Sequence, residues 1–151
     1  MPFIDWEEDY TVHHEEMDRH HRYLVDQINN LHEAILSNRV QDEVQTILEK
    51  LYSYTKFHFE AEERLIKDFD LAESEEHHKS HIYLTERVRE LKDKFYRDTD
   101  FNVFELMGFL RTWLIEHIVQ EDKPIFTKFI DRATEQGERH VRNNLGKAVQ
   151  S

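Results

Sequence analysis

Four stretches of this chain repeat apolar residues at steps of three and four, and little interrupts them. Leu24, Ile28, Leu31 and Ile35 mark the first stretch. The second carries Val44, Ile47, Leu48, Leu51, Tyr54, Leu65 and Ile66, and the third carries Leu84, Val88, Leu91 and Phe95. Phe104, Leu106, Leu110, Trp113, Leu114, Ile118, Ile125 and Phe129 mark the fourth. That period belongs to a helix with one buried face, not to a strand. Only three Gly and two Pro occur in 151 residues, too few for a fold built on turns. Breaks near 37–42, 68–71 and 97–100 separate the stretches, so the pattern predicts an all-α, up-and-down four-helix bundle with short connections. The first helix is expected from about Met17 and the fourth to end near Ile130. Residues 1–16 read as an arm with scattered apolar side chains: Phe3, Ile4, Trp6, Tyr10 and Val12. Residues 131–151 read as a polar tail, helical or frayed, in which Gly137 and Gly146 would each weaken a helix by about 1 kcal/mol. The expected organisation is one domain over 1–130 and a tail or linker over 131–151.

Several function classes fall away on composition. The chain has no Cys, which removes disulfides, thiolate metal sites and cysteine nucleophiles. A formal net charge of −12 argues against nucleic acid and anionic lipid as partners. No apolar run approaches a membrane span, and the N-terminal segment is acidic where a signal peptide would be basic and then apolar. A soluble, cytoplasmic protein is the expectation.

The eleven His are the unusual feature of the composition. Extending the first stripe back from Leu24 reaches His21, whereas starting from His20 would bring polar Gln27 inward. His58 and Glu62 continue the second stripe, His81 and His77 extend the third backwards, and His117 continues the fourth. Each helix therefore turns at least one imidazole inward. His13, His14, His20, His32, His78 and His140 do not share the pattern and read as surface or capping residues, although His78 stands at a spacing from His81 that permits shared ligation. A lone inward His is usually a hydrogen-bonded core residue. Five of them with Glu62, and with Asp122 near the stripe, would need a large polar network in a small core. Metal ions satisfy such a set, because neutral imidazoles offer lone pairs and carboxylates cancel charge. Seven ligands exceed one first-row ion, so two ions bridged by carboxylates is the economical answer. Imidazole suits iron, copper, nickel and zinc alike, and ligand type does not choose among them.

The order H…HxxxE…HxxxH…HxxxxD, carried by His21, His58 to Glu62, His77 to His81 and His117 to Asp122, resembles the hemerythrin family across residues 3–130. The resemblance implies two iron ions with a bridging oxo or hydroxo group. One iron would be held by His77, His81 and His117, the other by His21 and His58, with Glu62 and Asp122 bridging them. It also implies dioxygen as the partner, bound on the two-His side within walls formed by Leu24, Phe59, Trp113, Leu114 and Ile118. Those five residues also suit plain bundle core. The sequence departs from the family's habit at His13 and His14, where Gly and an apolar residue are frequent, and at His20, where Gln is.

The five-residue step from His117 to Asp122 is awkward, because at about 100° per residue the two side chains would point about 140° apart. Either a wide turn or π-bulge brings both inward, with Pro124 as a contributor, or Asp122 reaches in from the stripe's edge. The function implied is reversible dioxygen binding, as a carrier or as an oxygen or redox sensor, with this chain itself not an enzyme. Alternatives are an N-terminal regulatory domain of a larger signalling protein such as a diguanylate cyclase, and a di-iron oxidase. The oxidase alternative fits five His and two carboxylates less well than a carboxylate-rich site would. Residues 131–151 would then reach a C-terminal output domain or a dimer partner.

Overall fold

The computed structural model describes residues 2–38, 41–68, 74–97, 102–128, 130, 131 and 134. Among them are four long helices and no strand: α1 (Glu15–Leu36), α2 (Gln41–Asp68), α3 (Ser74–Arg97) and α4 (Val103–Glu116). A 3-10 turn (Glu8–Tyr10) precedes α1, and a π-helical segment (His117–Asp122) follows α4. Residues 123–128 return to α-helix, so the fourth helix is one rod with a widened turn inside it. Each helix packs on the next in the chain, and α4 returns to α1, closing a four-helix bundle.

Local chemistry sets the helix ends. His14 caps α1, its Nδ1 accepting from the Met17 N–H at 3.3 Å, and Glu15, Glu16 and Asp18 fill the positive first turn. Asn102 caps α4 by accepting from the N–H groups of Phe104 and Glu105 at 3.0 and 3.2 Å. Past the end of α1, Asn38 takes φ 50°, a left-handed conformation that Asn tolerates better than most residues. His13 takes φ 58° just before α1, where glycine would be unstrained.

The core has two tiers. Leu31, Ala34, Val44, Leu48, Leu91, Leu106 and Leu110 are buried in an apolar tier. At the other tier each helix contributes buried His, Glu or Asp side chains in place of Leu. The N-terminal arm is docked. Ile4 and Val12 are buried, and the Ile4 backbone exchanges hydrogen bonds with the Asn29 side chain at 2.7 and 2.9 Å. Lys123 donates to the Asp9 carbonyl at 3.0 Å, which ties the arm to the chain just after the π segment.

Two expectations need correction. His20 is buried, not on the surface: α1 buries a face wide enough for His20, His21, Leu24 and Val25 together. Phe104 is 67% exposed, because α4 turns Leu106, Met107 and Leu110 inward instead. His14 caps as expected, while His13 and His78 are exposed and His32 stacks on Phe3. Phe129 has no described side chain. His140 and nearly all of 131–151 lie outside the described residues, as do most of the breaks at 68–71 and 97–100.

Candidate metal centre

Seven side chains converge at the polar tier, and all are buried: His21 on α1, His58 and Glu62 on α2, His77 and His81 on α3, His117 and Asp122 on the π segment. Helical spacing explains most of this. His58 and Glu62, like His77 and His81, are four apart and share a helix face. The π segment resolves the awkward step from His117 to Asp122: a wider turn brings residues five apart onto one face. The expected widened turn is therefore present, and Pro124 lies two residues beyond it.

The side chains fall into two overlapping groups whose ligand-type atoms lie within 4.8 Å of one another. One comprises His77, His81 and His117 with both carboxylates; the other comprises His21 and His58 with the same two carboxylates. Each carboxylate divides its oxygens between the groups. Glu62 Oε2 lies 3.2 Å from His58 Nε2, while Oε1 faces His77 and lies 3.3 Å from His81 Nε2. Asp122 Oδ2 lies 3.0 Å from His21 Nε2, and Oδ1 lies 3.0 and 3.1 Å from the Nε2 atoms of His77 and His117. All five imidazoles thus present Nε2 inward.

Three of the outward nitrogens have partners of their own. His81 Nδ1 is 3.1 Å from Glu63 Oε1, and His117 Nδ1 is 2.5 Å from Glu121 Oε2. His58 Nδ1 is 3.0 Å from His20 Nδ1. Glu121 also accepts from the Ser80 hydroxyl at 2.7 Å, and Glu63 meets His78 Nδ1 at 2.6 Å. His78 therefore faces Glu63 at the surface and is absent from both converging groups. Outer partners of this kind fix ring orientation and tautomer when imidazoles bind metal. Sequence reasoning missed Glu63, Glu121 and His20, although Glu121 stands four residues after His117, the same step as His58 to Glu62.

Electrostatics show what the cluster costs without a cation. Burial pushes His58 down to about 4, so it stays neutral. Burial also pushes down on His77 and His117, but the Asp122 and Glu62 carboxylates overcome it, raising His77 to about 9 and His117 well above its ordinary value. Burial and the Asp122 charge push Glu62 up, and the imidazoles of His58, His77 and His81 outweigh them to hold it below the carboxylate range. Asp122 is depressed likewise, with His117 the strongest opponent of its burial. Burial lowers His20. Even so, both His21 nitrogens, His58 Nε2, Glu62 Oε2 and both Asp122 oxygens are buried without a hydrogen-bond partner. Orphaned lone pairs and anionic oxygens around one point are what cations satisfy. The donor set, imidazole with carboxylate, fits a pair of first-row ions.

The side chains expected to wall a ligand pocket are all buried: Leu24, Phe59, Trp113, Leu114 and Ile118. Phe59 stacks on His81 with ring centres 3.9 Å apart, and it also meets His117 at 5.3 Å and His58 at 5.7 Å. A cleft of about 210 Å³ between α2 and α3 reaches the outer side of Phe59 and His81, past Lys56, Glu63 and Ile82.

The chain is similar to several known proteins. The family model for the hemerythrin HHE cation binding domain matches residues 12–129. A bacteriohemerythrin of Pseudomonas aeruginosa is 32% identical over 122 residues, covering 81% of this chain and 78% of that protein. One of Clostridium acetobutylicum is 27% identical over 124 residues, covering 78% and 95%. Two solved structures of hemerythrin mutants superpose with TM-scores of 0.74 and 0.75 at 24% identity, over 83% of this chain and 98% of theirs.

Proposed function

This chain belongs to the hemerythrin family, and on that premise we propose that it binds dioxygen reversibly at a pair of iron ions held by the polar tier. The observation that carries the reading is the division of each carboxylate between the two His groups. A carboxylate so placed serves two cations at once. In this reading His77, His81 and His117 would hold one iron and His21 and His58 the other, with Glu62 and Asp122 shared between them. The pair, when bound, supplies the two electrons that dioxygen uptake requires.

The remaining work belongs to the chain. Glu63, Glu121 and His20 hold three of the five rings by their outer nitrogens. Leu24, Trp113, Leu114 and Ile118, all buried, would exclude water from the side served by His21 and His58. Water exclusion slows proton leakage and loss of reactive species. Five imidazoles to two carboxylates favour reversible binding over an oxidase, whose site would be richer in carboxylate. The domain would span 1–130, with 131–151 as a linker. A sensor role is favoured by one feature: two of the proposed ligands sit on the π segment, which leads directly into 123–128.

The test is optical. Chain loaded with ferrous iron under argon is exposed to air and then returned to argon, while its visible spectrum is followed. A band that appears in air and fades under argon is the expected result. Immediate, irreversible oxidation with no reversible phase would place the chain with the oxidases, and a spectrum indifferent to oxygen would overturn the reading.

A further inference from the structure

His20 stands one residue before a proposed ligand and belongs to neither converging group, yet it is 4% exposed. Its ring is held by a nest of aromatic side chains on α2, with Tyr54 at 5.7 Å and Phe57 at 5.4 Å between ring centres. The nest turns its Nδ1 onto His58 Nδ1 at 3.0 Å, and its Nε2 toward Glu16, whose carboxylate is 3.9 Å away. Two imidazole nitrogens at this separation share one proton, so one ring donates and the other accepts.

Which ring donates follows from the centre. His58 Nε2 lies against Glu62 inside the cluster, and a metal ligand must offer a lone pair there. The His58 proton then sits on Nδ1, and His20 Nδ1 must accept it. The His20 proton is left on Nε2, the nitrogen that the Glu16 carboxylate favours. We propose that His20 is a positioning residue, an acceptor that holds the His58 ring in the tautomer whose Nε2 is free to bind metal. This rests on the di-iron reading of the centre. It gives α1 two roles in consecutive residues: His21 as a ligand itself, and His20 as the residue that sets a ligand on the facing helix. His81 and His117 have carboxylates in the corresponding place. The two-His side uses a neutral imidazole, so it carries one less negative charge beside the metal than each of those rings does.

The experiment uses zinc as a diamagnetic stand-in, with imidazole nitrogens observed by long-range ¹H–¹⁵N NMR and affinity measured by competition with a chelator. In the loaded wild-type chain, His20 should be the Nε2–H tautomer and His58 the Nδ1–H tautomer. His20→Gln, whose amide oxygen can accept the same proton, should bind zinc within about threefold of wild type. His20→Leu fills similar space without an acceptor and should bind about 10- to 100-fold more weakly, the usual effect of losing an outer-shell partner. Equal affinity for His20→Leu and wild type would overturn the inference, and so would a proton on His20 Nδ1. If His20→Leu does not fold, the wild-type tautomers and the His20→Gln affinity decide it. Wild-type chain that takes up no zinc would overturn the metal reading as well, which separates the two failures.

Discussion

His77 carries opposite consequences for the metal-free and the loaded chain. In the absence of metal its pKa is raised to about 9, against burial, by Asp122 and Glu62. A raised folded-state pKa contributes stability that is complete below the ordinary value near 6.5 and lost as pH rises through the folded value. The metal-free chain should therefore lose a few kcal/mol of stability between about pH 6.5 and 9. The loaded chain should bind metal more tightly over the same range, because metal must displace that proton. Urea unfolding at pH 6.5 and 9, with and without zinc, checks both arms, and parallel curves would sink the idea. His13 offers a second residue-scale test. Its φ of 58° costs a non-glycine residue roughly 1–2 kcal/mol, partly offset by the greater unfolded-state freedom of glycine, so His13→Gly should raise stability by up to about 1 kcal/mol. At this scale the sequence was legible wherever a single stripe ran through a helix, as with His58, Glu62, His77 and His81. It misled at His20 because two ladders run along α1. His20, Leu24 and Ile28 are four apart, as are His21 and Val25, and the stripe is wide enough to bury both. The His20 ladder steps past Gln27, so that polar residue does not discriminate between the two ladders.

Among the elements, the π segment is the most informative. A regular α-helix would have put Asp122 roughly 100° off the inward face reached by residues four apart. The widened turn also lets Glu121 and Asp122 take opposite sides of one ring, Glu121 on Nδ1 and Asp122 on Nε2 of His117. A π turn is less favourable than the α turns on either side, so it must be held in place by what it carries. Amides of 117–122 should exchange faster than those of α4 in the metal-free chain. Zinc loading should slow them at least tenfold more than it slows Val103–Glu116, and equal slowing in mass-spectrometric exchange would remove the π segment from any switching role. The five-residue step pointed to this element. The exposure of Phe104 was not readable in the same way: it sits at the first turn of α4, where an apolar residue can continue the stripe in sequence without reaching the core.

At the scale of the molecule, the two tiers make separate contributions. The apolar tier, around Leu31, Leu48, Leu91 and Leu106, contributes burial that does not depend on a cation. Ions bound in the polar tier would add about 2.7 kcal/mol at a hundredfold excess of free metal over the dissociation constant. Stripping metal with a chelator should lower the melting temperature. It should also increase exchange at amides flanking His21, His58, His81 and His117 while leaving those near Leu31, Leu91 and Leu106 protected. Uniform loss of protection would show one indivisible unit. Among the described residues no helix is long and apolar enough to cross a membrane. The bundle was legible from four stripes and few turn residues. The docking of the arm was not, because the Ile4 backbone and the Asn29 side chain meet 25 residues apart and leave no period in the sequence.

The contact between His21 and Asp122 has a topological meaning. With no cysteine in the chain, nothing covalent links distant segments. A cation shared by residues 21 and 122 would close a loop of about a hundred residues, a span for which a disulfide would restrict the unfolded chain by roughly 4–5 kcal/mol. A disulfide yields to thiols; this link would yield to whatever removes the ion. The first helix and the fourth would then be fastened or released by metal supply, and the chain's resistance to unravelling would track the availability of the ion.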